Sequence, residues 1–268
     1  MTQQPLLKFG IHDFLNASPL LLPLKEKGVD MGFQIITDSP AALADRLEIG
    51  DLDLAMIPSV EYFKLSDRYR LIPDVCIASR GKVQTVLLLA KKPISEISSI
   101  AADVRSRTSV ALLKILFPFN SDLSIYPFPP DPQSMLTDHS AALIIGDQAL
   151  MLGDLDPSLT VYDLSEQWFR QTGKTFVHAV VAVREKVSLD QAQKNFIQKT
   201  KVEGCGRIKE IVHVYKGFPE IDINVLEDYL EKKIKYDMDE AAIDGLTHFG
   251  NLCYQHGVIS KKISIQFL

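Results

Sequence analysis

Residues 31–59 read MGFQIITDSPAALADRLEIGDLDLAMIPS, and the alternation inside this stretch decides the fold class. Met31–Ile36 alternates and is rich in β-branched residues, as a half-buried strand does. Ser39 is suited to cap a helix, and Pro40 sits at its first position, where a missing N–H costs nothing. Ala41, Leu43, Ala44 and Leu47 follow at helical spacing, and Gly50 stops the helix. Leu52–Ile57 is then a second strand, ended by Pro58.

The same alternation extends outward in both directions. Leu6–Ile11, Val75–Ala78, Val83–Ala90, Ser99–Asp103, Leu123–Tyr126, Ala141–Ile145 and Phe176–Val183 read as strands, with a turn at Arg80–Gly81. Helical patterns cover Ser18–Glu26, Val60–Leu65, Thr108 to about Phe117, where Pro118 ends the run, and Ser165–Gln171. From Ser188 the chain is almost purely helical, over Leu189–Lys201, Ile208–Lys216, Asn224–Lys233 and Asp239–His256. Two strand–helix units and a helical tail predict an α/β architecture with largely parallel sheets in two lobes. We place residues 1–90 with 184–268 in the first lobe and 91–183 in the second. The crossings then fall near Ala90–Lys91 and Val181–Arg184.

Length and charge narrow the function. At 268 residues the chain can bury a sizeable core without staples. A net charge of -5 argues against a nucleic-acid partner, which needs a clustered basic surface. No apolar run is long enough to span a bilayer, so no membrane partner is expected. Met1–Pro5 lacks a basic leader, and Lys8, His12, Asp13 and Asn16 interrupt the apolar stretch that follows. Cys76, Cys205 and Cys253 are far apart, with neither disulfide nor zinc spacing. A cytoplasmic protein with reduced thiols is the expectation. Six scattered histidines make no metal motif, and GxGxxG, GxxxxGK[ST] and GxSxG are all absent. No cofactor or metal is expected, and the oligomeric state is not assigned.

In open α/β sheets ligands sit beyond the carboxyl ends of strands, so the strand-to-helix junctions are the candidate site. Asn16 and Ser18 can cap a helix, and an Asn16 amide can also meet a ligand as both donor and acceptor. Ser106-Arg107-Thr108-Ser109 opens a helix with small hydroxyl residues. Free N–H groups, O–H donors and the helix dipole there suit an anion such as a carboxylate, and Arg105 and Arg107 add positive potential. Asp147, after Gly146, can cap a helix or act as a base or acceptor in a cleft; Ser59, after Pro58, has a similar ambiguity.

At these junctions the sequence resembles the chorismate dehydratases of the futalosine route to menaquinone, within the menaquinone-biosynthesis family of type II periplasmic-binding-protein fold. The resemblance spans nearly the whole chain. Asn16-Ala17-Ser18-Pro19-Leu20 and residues 50–62, GDLDLAMIPSVEY, carry it first, with Ile72-Pro73-Asp74 and residues 81–86, GKVQTV. Residues 106–110, SRTSV, 145–150, IGDQAL, 163–168, DLSEQW, and 172–176, TGKTF, complete it. It implies a two-lobed fold with an interlobe cleft, and a hydro-lyase that converts chorismate to 3-[(1-carboxyvinyl)oxy]benzoate without metal or organic cofactor. A sister enzyme of the same fold, 1,4-dihydroxy-6-naphthoate synthase, usually has histidine where Asp147 stands, so the dehydratase is favoured; a non-catalytic carboxylate binder is the other alternative.

The family often has serine at Thr85 and a tryptophan near the end of the strand that here reads His178-Ala179-Val180-Val181. On this reading Thr108 and Ser109, with Ser106 and Gly146 nearby, hold a carboxylate of the substrate. Asn16 and Thr85 face the reacting edge of the ring, and Ser59 and Asp147 complete the wall. Either Asp147 or a carboxylate of the substrate takes the proton.

Overall fold

The computed structural model describes residues 5–117, 119, 123–153, 155–215 and 221–268. Met1–Gln4, read above for a leader, and the helix ends expected at Pro118 and Lys216 lie outside the described residues.

Two sheets form the frame. The first contains β1 (Leu7–Ile11), β2 (Phe33–Thr37), β3 (Leu54–Pro58), β4 (Tyr69–Ser79), β10 (Phe176–Arg184) and β11 (Ile234–Lys235), in the order β11-β4-β10-β3-β1-β2. The second contains β5 (Val86–Ala90), β6 (Ser99–Asp103), β7 (Ser124–Phe128), β8 (Ala141–Ile145) and β9 (Thr160–Asp163), in the order β7-β6-β8-β5-β9.

The sheets are mixed rather than largely parallel. β1 pairs in parallel with β2 and β3, and β6 with β7 and β8, as the local alternation predicts. β10 and β5 run antiparallel to their neighbours, because each is the strand that arrives from the other sheet. Both expected crossings therefore move. Val86–Ala90 pairs with Ala141–Ile145, so it belongs to the second sheet. Val177–Arg184 pairs with the first sheet through β4. The Arg80–Gly81 turn is accordingly no hairpin but part of the connection between sheets.

Asp163 anchors both connections. Its carboxylate accepts from Val83 N at 2.9 Å and Gln84 N at 2.6 Å, and from Glu166 N at 3.1 Å as the cap of α7 (Leu164–Thr172). It supports Gln84 in a left-handed conformation, φ 67°, which a side chain rarely adopts.

Helices cover the sheets. In α2 (Pro40–Ile49) the Ser39 hydroxyl accepts from Ala42 N and Gly50 closes the helix at φ 84°, as the sequence predicts. The strands β3, β5 and β8 are buried throughout, which explains their continuous apolar runs. In the tail, α8 (Gln191–Cys205) packs on α1 (Ser18–Lys27) and β4, and α11 (Glu240–Gln255) on β10. The expected helix Asn224–Lys233 divides into α10 (Ile223–Asp228) and a π-helical turn, Tyr229–Lys233, which leads into β11. Among the described residues no helix is long and apolar enough to cross a membrane.

Candidate active site

A cleft opens where the carboxyl ends of β1, β3 and β8 meet the start of α4 (Thr108–Leu116). His12, Asn16, His178 and Ala179 line it from the first sheet; Thr85, Arg105, Ser106, Arg107, Thr108, Ser109 and Gly146 line it from the second.

Asn16 sits in a single 3-10 turn, Leu15–Ala17, and neither it nor Ser18 caps α1 through its side chain. The Tyr236 hydroxyl donates to the Asn16 carbonyl at 2.9 Å, fixing the backbone, while the buried side-chain Oδ1 has no partner among the described residues. Among the described residues Ser106 Oγ and His12 Nδ1 are likewise buried and unpartnered, and both residues line the cleft. An unsatisfied buried polar atom costs about 1–3 kcal/mol, so three in residues that line one cleft suit a polar ligand. Burial pushes His12 down to about 4, so its ring is uncharged near neutrality. Nothing in the sequence singles it out beyond its place at the end of β1.

Thr85 Oγ1 lies 3.0 Å from the Tyr229 hydroxyl, which the Asn16 side chain also approaches. Burial drives the Tyr229 phenol far above its ordinary range, so it stays protonated. Tyr229, placed by the π-helical turn, is a partner of Thr85 that the sequence pattern does not reveal.

The α4 start differs in part from the expectation. Among the described residues the first-turn amides of Thr108 and Ser109 have no backbone carbonyl partner, so they are available to an anion. The Thr108 hydroxyl, however, accepts from Val60 N at 3.2 Å, across the cleft from α3 (Ser59–Lys64). Ser59 is fully buried beneath this contact, its Oγ 3.4 Å from Thr108 Oγ1, and is not part of the cleft lining. Arg105 and Arg107 line the cleft but are engaged. Arg107 forms a bidentate pair with Asp45 at 2.8 and 2.7 Å, and Arg105 bonds Asp103 at 2.9 and 2.7 Å.

Asp147 stands outside the lining. Its carboxylate accepts from Leu15 N at 3.0 Å and from the Tyr215 hydroxyl, so it ties the start of α6 (Asp147–Leu150) to the loop that presents Asn16. Burial raises its pKa, and it neither caps α6 through its side chain nor reaches the cleft. Gly146 does line the cleft, at φ 61° and ψ -142°. A Cβ there would come within 2.9 Å of the Phe14 ring, so glycine permits the approach of the two sides. Among the described residues no group of three or more His, Cys, Asp or Glu side chains is placed to hold a metal ion.

Comparisons with known proteins bear on the family and the fold. Residues 7–255 match the family described as Menaquinone biosynthesis. The chain is 28% identical to the chorismate dehydratase of Thermus thermophilus over 255 residues, covering 90% of this chain and 92% of that protein. Among solved structures, protein AF1704 of Archaeoglobus fulgidus superposes with a TM-score of 0.78 at 18% identity, over 94% of this chain and 98% of that one. The CA3427 gene product of Candida albicans, reported to have the generic periplasmic-binding-protein fold, superposes with a TM-score of 0.59 at 13% identity, over 97% and 92%. The two-sheet α/β architecture here is that fold.

Proposed function

We propose, from the premise that this chain belongs to the menaquinone biosynthesis family, that it is a hydro-lyase converting chorismate to 3-[(1-carboxyvinyl)oxy]benzoate. The observation that carries the reading is the convergence of Asn16, Thr85 and the α4 N-terminus on one cleft, in a chain similar to a chorismate dehydratase along 90% of its length.

Loss of the ring hydroxyl and a ring hydrogen makes the chorismate ring aromatic, so the driving force is intrinsic. The protein has to orient the ring, support the leaving hydroxyl and exclude water. The free amides of Thr108 and Ser109, with the Ser106 hydroxyl, receive one carboxylate. This places the ring edge against Asn16 and Thr85. Asn16 Oδ1 is free to accept from the ring hydroxyl, and Thr85 Oγ1, steadied by Tyr229, holds the opposite approach. His12, with its low proton affinity, is a poor base, and Asp147 is occupied in its tie to Leu15 and Tyr215. A substrate carboxylate is therefore the better proton acceptor. The two lobes close over the ligand, and the Arg107–Asp45 pair and the Val60–Thr108 bond hold the closed form. The cytoplasm is the setting that fits, with Cys76, Cys205 and Cys253 all free thiols.

The test is direct. Purified protein is incubated with chorismate and the mixture analysed by mass spectrometry. The aromatic enol ether is the expected product, and Thr85→Ala should slow its appearance about 10-fold. Chorismate recovered unchanged would refute the reading, and binding without turnover would favour a carboxylate-binding protein.

A further inference from the structure

Two buried hydroxyls behind the cleft have no part in the chemistry above. Ser79 ends β4 and Ser165 lies in the first turn of α7. Ser165 Oγ is 2.5 Å from Ser79 Oγ, which is 2.7 Å from His178 Nε2. His178 is itself displaced from the strand register. β10 pairs Val177 with Ala78 and Ala179 with Ile77, leaving His178 as the extra residue of a bulge. A bulge re-aims a side chain, here into the cleft wall between Ile77 and Ala179. The Phe176 ring packs edge-on against the imidazole at 5.0 Å. Among the described residues the second ring nitrogen, Nδ1, has no partner, and it is open to the cleft rather than sealed in the core.

Proton accounting then fixes the tautomer. Each serine has one O–H proton to donate. If Ser165 donates to Ser79 and Ser79 to Nε2, every hydroxyl proton is placed and the imidazole proton resides on Nδ1. If Nε2–H donates to Ser79 and Ser79 to Ser165, the Ser165 proton is stranded, because that buried hydroxyl has no further acceptor among the described residues.

We propose that His178 presents Nδ1–H to the cleft as a fixed, uncharged hydrogen-bond donor for an acceptor oxygen of the substrate, its tautomer set by the positioning pair Ser79 and Ser165. The inference deepens the dehydratase reading and rests on it for the identity of the substrate, the acceptor being a carboxylate or ether oxygen of chorismate. Burial pushes His178 down to about 4, so the ring stays neutral and its donor direction is decided by the serines alone. A neutral donor of fixed direction selects for the position of an oxygen without attracting anions at large.

The experiment has two arms. In the first, protein labelled with 15N-histidine is examined by long-range 1H–15N correlation, with His178→Phe assigning the signal. Nδ1 protonated and Nε2 bare is expected in the wild type, and Ser79→Ala should produce a mixture of tautomers. An Nε2–H tautomer in the wild type would overturn the proposal. In the second arm, Ser79→Ala should raise KM for chorismate about 3- to 10-fold with kcat within about 2-fold, the size of one neutral hydrogen bond. His178→Phe should raise KM at least as much, and His178→Asn, which keeps a donor, should restore part of the loss. Unchanged KM in both Ser79→Ala and His178→Phe would also overturn it. A wild type inert toward chorismate would refute the dehydratase reading instead, while the tautomer arm would still decide the donor assignment.

Discussion

On the side of the cleft formed by the first sheet, His12, Asn16 and His178 are uncharged, largely buried and in part unpartnered. On the facing side, Arg105 and Arg107 carry full charges, yet each is matched to a carboxylate, Asp103 and Asp45. The difference divides the labour. Formal charge is used to hold structure and to join the lobes, while recognition falls to neutral dipoles whose cost is already incurred in folding. A cleft lined by free arginines would attract any anion; one lined by oriented neutral groups discriminates by the placement of oxygens.

The comparison is tested most strongly through acid. Burial holds both His12 and His178 at about 4, well below an unfolded histidine near 6.5. Between those values the unfolded chain binds more protons, so stability must fall as pH drops from about 6.5 toward 4. The full effect is on the order of 3 kcal/mol for each histidine. Urea midpoints at pH 7.5 and pH 5 sample about 2 kcal/mol of it for each histidine, and His178→Phe should flatten the dependence. A midpoint that does not move would mean that these rings keep the ordinary proton affinity of histidine.

Asn16→Ala removes the unpartnered acceptor from the neutral side, and kcat should fall about 100-fold with an unchanged circular dichroism spectrum. Asp147→Asn tests the structural side. As a tie it should lower stability by about 2 kcal/mol while kcat stays within about 5-fold. If Asp147 were the base, kcat would collapse with little change in the melting temperature. The smallest effect belongs to Asp45→Ala, which opens the exposed pair with Arg107. It should raise KM about 3-fold and leave kcat nearly unchanged, since Asp45 is 57% exposed.

Local signals carried much of this architecture. Ser39-Pro40 and Gly50 bound α2, and the junction residues Asn16 and 106–109 line one cleft together with Thr85, which the family resemblance supplied. What escaped is nonlocal. Val83–Ala90 reads as a strand on its own, but the sheet of its paired part, Val86–Ala90, is set by Ala141–Ile145, far along the chain. The tie of Asp147 depends on partners 132 and 68 residues away, so the aspartate reads as a cap or base until the fold is known. His178 is aimed by a bulge in β10, and no periodicity discloses a bulge. A junction residue can face the floor as readily as the cleft, and Ser59 lies buried beneath Thr108.

The most direct measurement is a crystal structure of the Asn16→Ala variant soaked with chorismate. A substrate carboxylate over the Thr108 and Ser109 amides, with the ring edge toward position 16 and Thr85, is the predicted result. Chorismate bound through freed guanidinium groups of Arg105 and Arg107, or at a surface away from these residues, would contradict the account.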